Sequence, residues 1–189
     1  MNKQSGSLNG TVVKDFEIDE SKVVFRYPNM EDIDDLLEYI NSLIEENTFI
    51  CRKEKVERDD EVDWLKNTLK EIEEKRKVHL VVEFDDKVMG SADVKKKSGK
   101  QSHVGELGIG LRREIREKGI GVRLMKSLID EAKSVLNLEI LTLEVFEKNK
   151  IAKNLYEKVG FKKAGVIQDK FFQNDEYQDS IVMELDLRD

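Results

Sequence analysis

Residues 103–121 read HVGELGIGLRREIREKGIG, and VRLMKSLIDEAKSVL follows at once. The first nine residues have the character of a strand, with glycines at 105, 108 and 110. The segment from about 119 to 136 carries Leu124, Met125, Leu128, Ile129, Ala132, Val135 and Leu136 at helical spacing. Between them a charged loop ends in Gly119 and Gly121, at the mouth of the helix. A helix start does not need glycine. Glycine is needed where φ must be positive or where something must come close to the backbone. A helix N-terminus offers free amides and the positive end of its dipole, so a phosphate-bearing ligand is the first expectation for this loop.

Outward from this stretch the periodicity predicts a strand at 23–27 and helices from Met30 and over about 60–75. A strand hairpin follows, HLVVEF (79–84) and KVMGSADV (87–94), turning at Asp85-Asp86. Beyond the helix come a strand at 139–146, a helix at 149–159 stopped by Gly160, and strands at 161–167 and 179–187 around a polar loop, QDKFFQNDEYQ. The basic turn Lys95–Lys100 reads as a solvated hairpin tip. The order is β-α-α-β-β-β-α-β-α-β-β. A meander implies antiparallel pairs and the strand-helix-strand of 103–146 implies one parallel step. The fold class is therefore α/β of the α+β type: a mixed, mostly antiparallel sheet of about seven strands with helices on both faces. Residues 1–20 are expected to form a flexible arm and 21–189 a single domain.

Two common phosphate binders fit poorly. A mononucleotide P-loop needs GxxxxGK[ST], which is absent. A dinucleotide site needs GxGxxG directly after a strand and an acid about 20 residues on. Gly119 and Gly121 with Glu144 imitate part of this. The third glycine is missing, and a meander precedes the motif where alternating strands and helices belong.

The second informative stretch is NKIAKNLYEKVGF, 149–161. Asn149, Ala152 and Tyr156 stand at i, i+3 and i+7 and share a helical face. Taken together, R116-x-x-G119-x-G121 and N149-x-x-A152-x-x-L155-Y156-x-x-x-G160-F161 resemble the GCN5-related N-acetyltransferase superfamily. Within it the chain looks most like the ribosomal-protein N-terminal acetyltransferase branch. Two departures are Glu117, where many members have Gly, and Arg113, where many have Pro.

The resemblance implies direct transfer of an acetyl group from acetyl-CoA to a primary amine, with no covalent enzyme intermediate and no metal. The acceptor would be a protein N-terminus, a lysine, a polyamine or another small amine. It implies that Ile109, Gly110 and Leu111, the loop Arg116, Glu117, Lys118, Gly119, Ile120, Gly121 and Val122, and Asn149, Ala152 and Tyr156 bind the cofactor. Tyr156 is expected to protonate the leaving thiolate. Glu106 is expected to serve as base or amine anchor, with His103 a weaker alternative. Strand alternation puts Glu106, Gly108 and Gly110 on one face, where the glycines leave room for a ligand. A non-catalytic CoA-binding or protein-interaction module with this fold, and a nicotinamide-dependent oxidoreductase, are the competing readings.

Composition narrows the partners. The net charge is −7, which argues against nucleic acid. No apolar run approaches the roughly 18 residues of a membrane span, so no membrane partner is expected. Cys51, the single cysteine, fits a reducing cytoplasm and reads as structural or incidental. Phe171, Phe172 and Tyr177 either line the acceptor cleft or pack a homodimer interface.

Overall fold

A computed structural model of the chain describes residues 7–188. The strands are β1 (Val12–Ile18), β2 (Ser21–Arg26), β3 (Lys77–Phe84), β4 (Lys87–Lys96), β5 (Val104–Leu111), β6 (Ile140–Phe146), β7 (Lys162–Gln173) and β8 (Glu176–Asp186). The helices are α1 (Ile33–Glu45), α2 (Arg58–Glu73), α3 (Ile120–Leu136) and α4 (Lys150–Lys158). One eight-stranded sheet runs in the order β1-β2-β3-β4-β5-β6-β8-β7. Among the described residues only β5 and β6 pair in parallel.

The pleat sorts the side chains. Ser91, Asp93, Glu106, Glu144 and Phe146 fall on one face, with α1 and α2; Trp64 of α2 sits edge-on to His79 there, 5.4 Å between ring centres. We call this the front. Phe25, Val82, Ala92, Leu107 and Leu143 point to the back, where α3 supplies Leu124, Met125 and Leu128, all fully buried. That continuous apolar layer is the main core.

Three differences from the sequence reading share one cause. Val12–Ile18, placed in the N-terminal arm, is an edge strand, with Phe16 edge-on to Phe25 at 5.2 Å and Arg123 above Phe16. It brings the sheet to eight strands. Residues 1–6 lie outside the described residues. The polar loop 168–178 is instead the end of a long β7–β8 hairpin turning at Asn174-Asp175. Asp19-Glu20, Asp85-Asp86 and Asn174-Asp175 all have φ between 48° and 67° at both residues. Those are two-residue hairpin turns of the type that matches strand twist. Without glycine, two of the three read as generic polar loop.

Candidate active site

The site begins where the sheet comes apart. β5 and β6 pair over only three steps, the last being Glu106 with Thr142. Beyond it, Leu107–Leu111 and Leu143–Phe146 diverge. Backbone polar groups in a sheet interior are normally paired, so an open wedge there marks a place for another chain or ligand. α1 crosses the wedge in front and α4 closes it behind.

At the wide end of the wedge lies the loop to α3. Glu117 and Gly119 both have positive φ, 61° and 75°, and a Cβ on Gly119 would meet nothing within 4 Å. Among the described residues, the amides of Glu117 to Gly121 donate to no protein acceptor. Ile120 is fully buried and anchors the end of the loop in the core. Lys118 is 3.7 Å from Asp19. Arg116 makes a bidentate pair with Glu46, one arm at 2.7 Å, and donates to the Leu111 carbonyl. The Arg116 side chain therefore ties the loop to the end of α1, and its own charge is already matched.

A cavity of about 370 Å³ joins Arg116 and Leu111 to Ile109, Gly110, Asn149, Ala152 and Leu155. Asn149 caps α4, its Oδ1 accepting from the Ala152 amide at 3.1 Å. That leaves its Nδ2 to face the cavity. The channel continues into a second cavity of about 440 Å³ at the narrow end of the wedge. Here Tyr156, Glu106, Ile109 and Gly110 meet. The Tyr156 ring is 6% exposed, and burial raises its hydroxyl to about 12. It makes no hydrogen bond among the described residues.

The structure adds groups that the sequence reading did not assign to the site. Asp93, opposite Gly108, lines the same cavity, as do Glu144, Lys170 and Tyr39. Burial raises the Asp93 carboxyl above its ordinary value, partly offset by Lys77 at 3.3 Å. Burial also pushes Glu144 upward, but bonds from Lys170 and Ser180 outweigh it and hold the carboxyl below its ordinary range. Finding Asp93 from sequence needs the β4–β5 register, and Lys170 needs the true length of β7.

One expectation is corrected. The space in front of Gly110 does not belong to a ligand: a Cβ there would collide with the Tyr39 hydroxyl and lie 3.0 Å from Leu43. Glycine at 110 lets α1 seat against β5. His103 stands in the turn before β5, outside the cavity. Phe171 stacks on Phe146 at 3.7 Å inside the site, whereas Tyr177 is two-thirds exposed and packs on Phe172.

Residues 37–161 match the model of the acetyltransferase (GNAT) family. The chain belongs to that family. Spermidine N(1)-acetyltransferase of Escherichia coli (strain K12) is 37% identical over 70 residues, which is 37% of this chain and 38% of the relative. The L-amino acid N-acetyltransferase AaaT of the same strain is 30% identical over 106 residues, 55% of this chain and 65% of the relative. The chain thus spans less than two thirds of the length of either. Ribosomal-protein-S5-alanine acetyltransferase from Vibrio fischeri superposes with a TM-score of 0.81 at 18% identity, over 93% of this chain and 98% of that one. At that identity the likeness speaks for the fold. No helix among the described residues is long and apolar enough to cross a membrane.

Proposed function

We propose that the protein is an N-acetyltransferase that moves the acetyl group of acetyl-CoA directly to a primary amine. The observation that carries this is the continuity of three features: unpartnered amides at the head of α3, the channel beside Asn149, and the wedge ending at Tyr156 and Glu106. A long ligand with a diphosphate at one end and a reactive thioester at the other fits that sequence of environments.

In this reading the amides of Glu117 to Gly121 hold the diphosphate, and Nδ2 of Asn149 and the free edge of β5 at Ile109–Leu111 orient the pantetheine arm. Bound acetyl-CoA supplies the activated acetyl group. A main-chain amide of β5 polarises its carbonyl. Glu106, at the last paired step of the wedge and 3.3 Å from Lys97, accepts the amine proton through water. Tyr156 is a neutral phenol at neutral pH, as an ordinary tyrosine is, with burial holding it still further from ionising, and it delivers its proton from Oη to the departing sulfur. A hydroxyl near 12 is a weak acid. The transfer succeeds because the thiolate is desolvated in the same cleft. Cys51 is exposed in the α1–α2 loop with its thiol raised by burial of its surroundings, so a covalent route through it is not invoked. The surroundings we assign are those of a cytoplasmic enzyme.

The test is thiol release from acetyl-CoA against a panel of peptides and polyamines, with calorimetry of acetyl-CoA binding. Micromolar binding and amine-dependent thiol release are expected. Heat from a reduced nicotinamide and none from acetyl-CoA would sink the proposal.

A further inference from the structure

The front face around the wedge carries an unusual charge arrangement. Four carboxylates stand there, and each already has a lysine. Lys77 is 3.3 Å from Asp93, Lys95 is 2.8 Å from Glu71, Lys97 is 3.3 Å from Glu106, and Lys170 is 2.6 Å from Glu144. A polycationic ligand would have to displace these lysines to reach an acid.

The surplus beyond the pairs is positive. A groove of about 970 Å³ leaves the reaction cavity through Asp93, Glu106, Leu107 and Gly108, which line both. Its walls carry five basic side chains, Lys75, Arg76, Lys95, Lys96 and Lys97, against three acidic ones. Arg76 pairs with Glu74, so the surplus is Lys75, which has no ion pair among the described residues, and Lys96, which donates only to the Leu136 carbonyl. On the opposite side, a cavity of about 660 Å³ holds Arg52, Lys53 and Lys170 against Asp175 alone. Both exits are thus basic in a chain whose net charge is −7. The lysine run at 95–97, which reads from sequence as a solvated hairpin tip, is the wall of a groove leading to the site.

We infer that the acetyl acceptor is an amine attached to an anionic body, best matched by the N-terminal amine of a peptide with acidic residues just after it. This rests on the acetyltransferase reading above. The amine sits at the wedge apex beside Glu106, and the acidic segment runs out along the groove past Lys95 and Lys97 towards Lys75 and Arg76. Opposite charge along a low-dielectric groove favours encounter and register, and like charge excludes a polycation.

The experiment compares thiol release by the full chain for Ala-Glu-Glu-Ala amide, Ala-Gln-Gln-Ala amide, Ala-Lys-Lys-Ala amide and spermidine. The expected order places the acidic peptide about tenfold above the neutral one in kcat/KM, with the two cationic acceptors lowest. That advantage should shrink between about 0.05 and 0.5 M salt as screening shortens the reach of the lysines. Lys75→Glu with Arg76→Glu should bring the acidic and neutral peptides within about threefold of each other. The milder Lys75→Gln with Arg76→Gln should narrow the gap in the same direction and guards against a folding defect. Preference for spermidine or the lysine peptide, or an acidic preference that neither pair of substitutions moves, overturns the inference while leaving the transferase reading in place. Absence of thiol release with all four amines overturns the transferase reading itself.

Discussion

The hydroxyl of Tyr39 occupies the space that a side chain at Gly110 would need. α1 is pressed so closely onto β5 that the strand has no room for a Cβ at this point. Gly110→Ala should therefore destabilise the protein by about 1–3 kcal/mol, the usual cost of overpacking. Tyr39→Phe in the same chain should recover most of the loss, because the nearest ring carbon, Cζ, stays 3.4 Å away. Chemical denaturation of the single and double variants measures both. Additive losses would show that the collision lies elsewhere, for instance with Leu43.

Tyr156 is buried, without a hydrogen-bond partner among the described residues, and shares a cavity with Glu106. Tyr156→Phe keeps the ring and removes only the proton source. We expect turnover to fall about a hundredfold, within the range for a lost general acid, while acetyl-CoA affinity changes little. Steady-state kinetics beside calorimetry separates the two. Turnover within a factor of two of the parent would remove Tyr156 as the acid. Because the hydroxyl titrates at about 12, its ionisation should not limit the rate up to about pH 10.

The strongly periodic elements were legible from sequence. β5, α3 and α4 stand where alternation and apolar spacing put them, and the face shared by Glu106, Gly108 and Gly110 is the observed one. The hairpins at 19–20 and 174–175 were obscured because acidic and amide residues, rather than Asn-Gly, adopt positive φ in their turns. The wedge depends on which residue pairs are the last to bond, and that is a property of two strands more than 30 positions apart. The lysine partners of the four carboxylates are similarly hidden: Lys97 and Glu106 sit across a turn, but Lys170 and Glu144 meet only through the β6-β8-β7 order.

Glu117 sits at φ 61° in the loop whose amides have no protein acceptor among the described residues. A left-handed conformation costs a side-chain-bearing residue about 1 kcal/mol relative to glycine. The carboxylate also places negative charge beside a site read as binding a diphosphate. Glu117→Gly should tighten acetyl-CoA binding several-fold, with thermal stability held or raised. Gly119→Val at φ 75° should act in reverse. It has no protein atom to strike, so the protein should fold with a loss of about 1–2 kcal/mol, yet cofactor binding should vanish. Micromolar affinity retained in Gly119→Val would reject the loop as the binding element. Calorimetry with both variants decides it.

His79 is buried in the front layer with both ring nitrogens unpartnered among the described residues, against Trp64 and near Lys77 and Asp32. Burial lowers its basicity to about 3, with the charge of Lys77 adding to the effect. The ring is therefore neutral in the folded protein, while in the unfolded chain it takes up a proton near 6.5. Between those values the unfolded state binds more protons, so stability rises with pH across the window. The contribution is complete above about pH 6.5 and is lost progressively as pH falls towards 3. From pH 7 to 4 the loss from this one group is about 3 kcal/mol. His79→Leu removes the titrating group and fills the same apolar space, so its stability should fall less over that interval by a similar amount. Urea unfolding at pH 7 and pH 4 tests this. Equal pH dependence in the two proteins would mean that the histidine finds a partner, such as a water, when it is protonated in the folded state.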